Sequence, residues 1–219
     1  MIYINKEEEP DEILNWKKKF KNVNKRNANY DDISKDHNFI KGNQTAKDVL
    51  KESLIREQRG ICCYCCSQIS HAGSHIEHFR PKGRQEYHAF SLSYKNLHAS
   101  CQGIYGSKET CGHNKHGEFD EQLMISPLED NCETYFTYNE FGEISAKDNN
   151  ERAKYTIKVL KLDDERLTKA REIAIEASGV LDIKNDEDRN VYQELYRTTD
   201  SNGTLPEFCD AISYLAAYE

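Results

Sequence analysis

The sequence predicts an α+β protein, mostly helical, with a small β-hairpin and a metal knuckle built from cysteines. Three observations carry this. Apolar residues recur at helical spacing at both ends of the chain. Short β-prone runs punctuated by Gly and Pro occupy the middle. The stretch "GICCYCCS" puts four cysteines into the five positions from Cys62 to Cys66.

The elements follow in order. "PDEILNWKKKFK" places Pro10 at the first turn of a helix, with acids at its start and lysines at its end, matching the helix dipole. Residues 22–44 are polar and Asn-rich without a period, and are expected to be irregular. Thr45 caps a helix whose Ala46, Val49, Leu50 and Leu54 share a face, and Gly60 stops it. "SHIEHF" reads as a strand closed by Pro81, and "CGHNKHGEF" as the start of a helix. "LMIS" reads as a strand, and "TYFTY" and "EISA" as a hairpin around "NEFG". From Asn149 the pattern is helical. Asp163 is the expected cap of a segment with Leu167, Ala170, Ile173, Ala174 and Ala177 on one stripe, ended by Gly179; helices over about 186–197 and 205–218 follow.

At 219 residues, 37% hydrophobic and 31% charged, the chain can bury a core without staples. No apolar run approaches the roughly 18 residues of a membrane span. "MIYINKEEEPDEIL" has acids where a signal peptide needs a basic start, so a cytoplasmic protein with reduced thiols is expected. Eight cysteines then read as metal ligands or buried apolar residues before they read as bridges.

The net charge of −8 is unevenly spread. Residues 78–117 hold six Lys and Arg against two acids, with five of the eight histidines, whereas residues 118–219 hold 11 against 24. A local basic patch can meet phosphates because more distant charge is screened beyond about 10 Å. The acidic half has the wrong sign for nucleic acid and reads as a solvated face or a docking surface.

Two overlapping C-x2-C pairs, Cys62/Cys65 and Cys63/Cys66, can each supply half of a tetrahedral zinc site. Cys101 and Cys111 are the second pair, with the turn-forming "QGIYGSKET" between them. A thiol-redox pair would open a helix; here the motif follows one. Cys132 and Cys209 stand alone and read as structural.

Between the cysteine pairs lies "SHIEHFRPKG". Phosphodiester hydrolysis needs a base for water, and a histidine titrating near pH 6.5 suits that task. It also needs positive charge at the phosphate, which a hard divalent cation on a carboxylate supplies. Arg80 and Lys82 carry charge for a phosphate backbone. His37, His71, His75, His88, His98 and His116 read as solvent-exposed or hydrogen-bonded, although strand alternation puts His75 on the face of Glu77. Tyr87, Tyr94 and Tyr105 read as packing residues before base-stacking ones.

The order "CCYC", "EHFRP", "NLHASC", "CGHNK" resembles the HNH endonucleases. The resemblance implies a ββα-metal finger over residues 61–125 with a structural zinc on Cys62, Cys65, Cys101 and Cys111. Glu77 and His113 would hold a catalytic Mg2+ or Mn2+, His78 would be the general base, and Asn96 would hold the loop that orients it. Lys115 matches a family lysine expected at phosphate. His113 against Asn114, and Cys62/Cys65 against Cys63/Cys66, stay open, with the first of each favoured. "IREQRGICCYC" and "YTIKVLKLDDERLTKAR" resemble the HNH subunits of Septu and ATPase-carrying retron anti-phage systems. This subgroup implies a cytoplasmic bacterial nuclease acting on nucleic acid, DNA favoured, with an ABC/SMC-like ATPase of the PtuA type. On that resemblance residues 1–60 are an N-terminal helical region, and 126–219 a hairpin with acidic helices that would dock the partner. The alternative is a zinc-stapled nucleic-acid or protein-binding module without catalysis; Glu77, His78 and His113 together favour the enzyme.

Overall fold

The computed structural model describes residues 1–103 and 107–218. Helices α1 (Asp11–Asn24), α2 (Tyr30–Lys35) and α3 (Ala46–Glu57) precede the cysteine knuckle, with β1 (Phe39–Lys41) and β2 (Gln44–Thr45) as a short hairpin between α2 and α3. Strands β3 (Ser74–His78) and β4 (Leu97–Cys101) form an antiparallel ladder, and α4 (Cys111–Lys115) follows. The hairpin β5 (Phe136–Tyr138) and β6 (Ile144–Ala146) leads into α5 (Glu151–Leu160), α6 (Glu165–Ser178), α7 (Asp186–Leu195) and α8 (Cys209–Tyr218). The architecture is α+β, helical around a small ββα unit.

Several elements differ from the sequence reading. The stretch 22–44 is not irregular throughout: it holds the end of α1, α2 and β1. The side chain of Asn29 accepts from the backbone of Asp32 while Asp32 returns the bond, a capping box that starts α2 despite its poor hydrophobic period. Fully buried Ile33 anchors the helix, with half-buried Tyr30 packed against the same core. "LMIS" forms no strand; Met124 and Ile125 are buried in a turn, and the Ile125 N–H donates to Thr156 Oγ1 at 3.0 Å. In α6 the cap is Asp164, not Asp163, and the buried positions are Leu167, Arg171 and Ile175, leaving Ile173 exposed. The long Arg171 side chain takes an inward position because its guanidinium reaches the Leu162 carbonyl at 3.3 Å and that of Gly142.

Two cores flank the β3–β4 ladder. On one side Ile76, Leu97 and Ala99 pack with Ile13, Trp16, Leu50 and Leu54 of α1 and α3. On the other, Cys62, Cys65, Cys101 and Cys111 join a larger cluster with Phe119, Phe136, Leu160 and Leu215. The hydrophobic transfer of these side chains, about 1.5–3 kcal/mol each, fixes the ladder between its two supports.

Candidate functional site

The knuckle is placed by Gln58, at the end of α3. Its side-chain amide donates to Ala99 O (2.8 Å) and accepts from Ala99 N (2.7 Å), extending the β4 ladder by one side-chain rung. The chain then turns so that Cys62 N donates to Ser67 O at 2.9 Å and Cys66 N to Cys62 O at 3.2 Å. This brings Cys62 and Cys65 to Cys101, the last residue of β4, and to Cys111, the first of α4. The four buried Sγ atoms all lie within 4.8 Å of one another. Cys65 and Cys101 Sγ are 3.8 Å apart. Four thiolates at about 2.3 Å from one zinc have tetrahedral edges of about 3.8 Å, so this donor set fits zinc. Burial pushes the Cys62 thiol up, but thiols of Cys101 and Cys111 directed at it outweigh that and hold it well below its usual range. Cys63 and Cys66 are not in this group: Cys63 packs in the same core with its thiol directed at Cys62, Cys66 packs with Ile2, Ile61, Leu205 and Cys209, and burial raises both thiols. Among the described residues the four-cysteine group is the one cluster of metal-ligating atoms this compact.

The ladder pairs His75 with Ser100, Glu77 with His98 and His78 with Leu97. Alternation therefore puts His75, Glu77, His98 and Ser100 on the face toward α4, and His78 on the opposite face. Gly112 lets α4 approach: a Cβ there would stand 2.7 Å from His75 Nε2 and 2.8 Å from Glu77 Cδ. Glu77 is buried, with Oε1 accepting from Tyr64 Oη at 3.2 Å and facing Lys115 Nζ at 3.0 Å; its Oε2 lies 3.6 Å from His75 Nε2. Burial pushes this carboxyl up, but His75 and Lys115 outweigh it and hold it down at about 2. The rings of His75 and His113 are 4.1 Å apart, and His113 Nε2 is 2.6 Å from Gln102 Oε1. Burial and the neighbouring His75 lower the His113 pKa. The arrangement offers one carboxylate oxygen and two imidazoles on one face.

His78 lies against the N-terminal helices. Its Nε2 is 3.0 Å from Ser91 O, and the Tyr30 ring meets its ring in a T-shaped contact, centroids 4.4 Å apart at 83°. A carbonyl only accepts, so Nε2 carries the proton and Nδ1 keeps the lone pair. Burial depresses this imidazole to about 4, leaving it neutral at pH 7. Asn96 staples the loop after β3: its Oδ1 accepts from Arg80 N (2.7 Å), and its Nδ2 donates to Arg80 O (3.0 Å) and Phe90 O (3.1 Å).

The basic residues expected at phosphate divide. Arg80 pairs with Glu121 at 2.6 Å and Lys82 with Asp31 at 2.9 Å, both at the surface. Lys115 is a correction: it is buried, and its ammonium holds Glu77 and donates to the carbonyls of His78 (2.9 Å) and Phe79 (3.2 Å). Its short helix points the side chain inward under β3, so it braces the site rather than meeting solvent. Tyr94 is likewise a core residue bonded to Ser53 and Glu57, Tyr87 packs on Phe119, and Tyr105 lies outside the described residues. Sequence reasoning did not place Tyr30 or Tyr64 at the site, and it read His98 as solvent-exposed or hydrogen-bonded. His98 is fully buried with no partner on either ring nitrogen. Pairing "SHIEH" with "NLHASC" in antiparallel register would have placed it opposite Glu77.

No family model matches the chain. Two curated proteins are similar to it. One, of Vibrio cholerae serotype O1 biovar El Tor, is named "Retron Vc95 putative HNH endonuclease" and is 28% identical over 116 residues, 52% of this chain and 55% of that protein. The match thus spans about half of that relative's length. The other, of Bacillus mycoides (strain KBAB4), is named Septu protein PtuB and is 27% identical over 199 residues, 74% of this chain and 68% of that protein. The chain is thus similar to a protein named as a retron HNH endonuclease and to a Septu PtuB, which supports the HNH family that its motifs resemble.

Proposed function

We propose that the chain is a metal-dependent HNH endonuclease that hydrolyses phosphodiester bonds, DNA favoured, in bacterial anti-phage defence. The observation that carries this is His78: a neutral imidazole at the end of β3, its Nε2–H anchored on Ser91 O and its Nδ1 left unprotonated. It adjoins Glu77 on a ββα unit with a four-cysteine cluster at its foot. In this reading His78 Nδ1 takes the proton of the attacking water. Asn96 fixes the backbone just beyond His78, and Lys115 holds the end of β3 through two carbonyls. Glu77 and His113 would hold a Mg2+ or Mn2+ ion, which supplies positive charge at the phosphate and the departing oxygen. Arg80 and Lys82 would meet the backbone phosphates by exchanging their acidic partners.

The similarity to a Septu PtuB supports a cytoplasmic defence role with an ABC/SMC-like ATPase partner. The segment 118–219, with 11 basic against 24 acidic residues, is the natural docking region. One observation favours the second reading, a zinc-stapled binding module without catalysis: Lys115 already neutralises the Glu77 carboxylate.

The deciding experiment is plasmid cleavage with Mg2+ or Mn2+, alone and with a PtuA-type ATPase, for wild type and His78→Ala. Metal content is measured on both. Cleavage lost in His78→Ala with about one zinc per chain retained supports the enzyme. Absence of wild-type cleavage in every condition, zinc intact, transfers support to the binding module.

A further inference from the structure

A polar cleft of about 120 Å³ opens between α2 and the segment after β3, lined by Asn29, Tyr30, Asp31, Lys82, His88 and Ser91. Two of its walls are the groups that hold His78: Tyr30 stands edge-on against the imidazole, and Ser91 O accepts from its Nε2. The cleft therefore adjoins the candidate base, on the face of β3 opposite Glu77. Lys82 brings a cation to it, 5.2 Å from the centre of the Tyr30 ring, and Asn29 and His88 add hydrogen-bonding groups. The one acid of the lining, Asp31, lies 2.9 Å from Lys82 Nζ. Both partners of that pair are well exposed, 41% and 63% by side chain. An ion pair so open to water holds loosely and yields to a competing anion.

α2 itself is not loosely held. Ile33 is fully buried in the N-terminal core, and Arg26 clamps Asp32 through two bonds of 2.7 Å. The Asp31 side chain can leave Lys82 while the helix and Tyr30 stay in place. A carboxylate on an exposed lysine beside a catalytic histidine has the charge and shape of part of a phosphodiester.

We propose that this cleft seats a backbone phosphate of the nucleic acid and that Asp31 occupies Lys82 as a resident mimic until the strand enters. The proposal rests on the nuclease reading for its ligand, and it adds Asn29, His88 and Asp31 to the groups that govern binding. Asp31 then sets a threshold: a weakly held or transient strand fails to displace it, whereas a strand with further contacts succeeds.

The test is fluorescence anisotropy of a labelled DNA duplex, without divalent metal, across a range of NaCl concentrations. The full chain is used as wild type, Asp31→Asn, Lys82→Ala, the double variant, His88→Ala and Glu187→Gln. Glu187 is an exposed acid on α7 and controls for loss of one negative charge. Asp31→Asn is expected to bind about twofold to fivefold more tightly than Glu187→Gln. Lys82→Ala should weaken binding and lower the log–log salt slope by about 1. In the Lys82→Ala background, Asp31→Asn should give no more than the control. Equal gains from Asp31→Asn and Glu187→Gln, additivity in the double variant, or no duplex binding at all overturns the proposal. Cleavage by wild type and its loss in His78→Ala, scored separately, reports on the nuclease reading. The Asp31 signature without cleavage keeps the phosphate seat and rejects catalysis.

Discussion

Glu77 and His98 face each other across the β3–β4 ladder, one an ionised carboxylate with three polar partners and the other a sealed imidazole whose ring nitrogens make no hydrogen bond. Burial depresses His98 to about 3, so it is neutral at physiological pH. The folded state then binds fewer protons than the unfolded chain between pH 6.5 and about 3, and stability falls as pH drops through that window. Between pH 7 and pH 5 the His98 contribution falls by about 2 kcal/mol. His98→Leu is expected to match or exceed wild-type stability at pH 7, because an unpartnered buried polar group is removed. It should also lose less stability on acidification, read by urea melts at the two pH values. An unchanged pH slope would show that His98 is not neutral by burial.

The two cysteine pairs are separable. Cys62→Ser and Cys101→Ser are expected to abolish stoichiometric zinc and to melt the finger, since structural zinc binding is folding free energy of about 10 kcal/mol or more. Cys66→Ser should keep about one zinc per chain, because its side chain packs with Ile61, Leu205 and Cys209 away from the cluster. Metal analysis of the three variants checks this; zinc lost from Cys66→Ser alone would exchange the pairs.

Gly112 gives a sign test. Gly→Ala within a helix ordinarily stabilises by about 1 kcal/mol. Here the added methyl would crowd the His75 ring and the Glu77 carboxylate, the latter buried and held by Tyr64 and Lys115. Gly112→Ala is expected to destabilise by about 1–3 kcal/mol and to lower nuclease activity with it. Thermal melts and plasmid cleavage measure the two effects.

Lys115→Met removes the cation beside a buried carboxylate, which typically costs about 3–5 kcal/mol. It also frees the carbonyls of His78 and Phe79. The variant is expected to lose stability steeply while leaving the salt slope of nucleic-acid binding unchanged. A slope reduced by about 1 in a folded variant would return Lys115 to the phosphate-contacting set.

What the sequence revealed depended on how local each signal was. Thr45 with Asp48, Gly142 in its turn and Gly179 at its helix end are signals spanning four residues or fewer, and their elements formed where expected. The convergence of Cys62, Cys65, Cys101 and Cys111 was legible because zinc chemistry restricts residue type. The environment of Lys115 was not, since a lysine near a histidine motif carries the same letters whether it faces solvent or a buried glutamate. Nor was Tyr30, whose contact with His78 crosses 48 residues of chain. The stripe of α6 failed for a related reason: its inward position is an arginine, which no hydrophobic period marks.

The alternation of β3 has one more consequence. Neighbours in sequence, Glu77 and His78 are supported from opposite sides: the first by the cluster that holds the cysteines and the C-terminal helices, the second by α2 and the N-terminal layer. Neither half of the chain alone surrounds both residues. A break in either half of the chain would therefore strip one of these two neighbours of its surroundings and leave the other's in place.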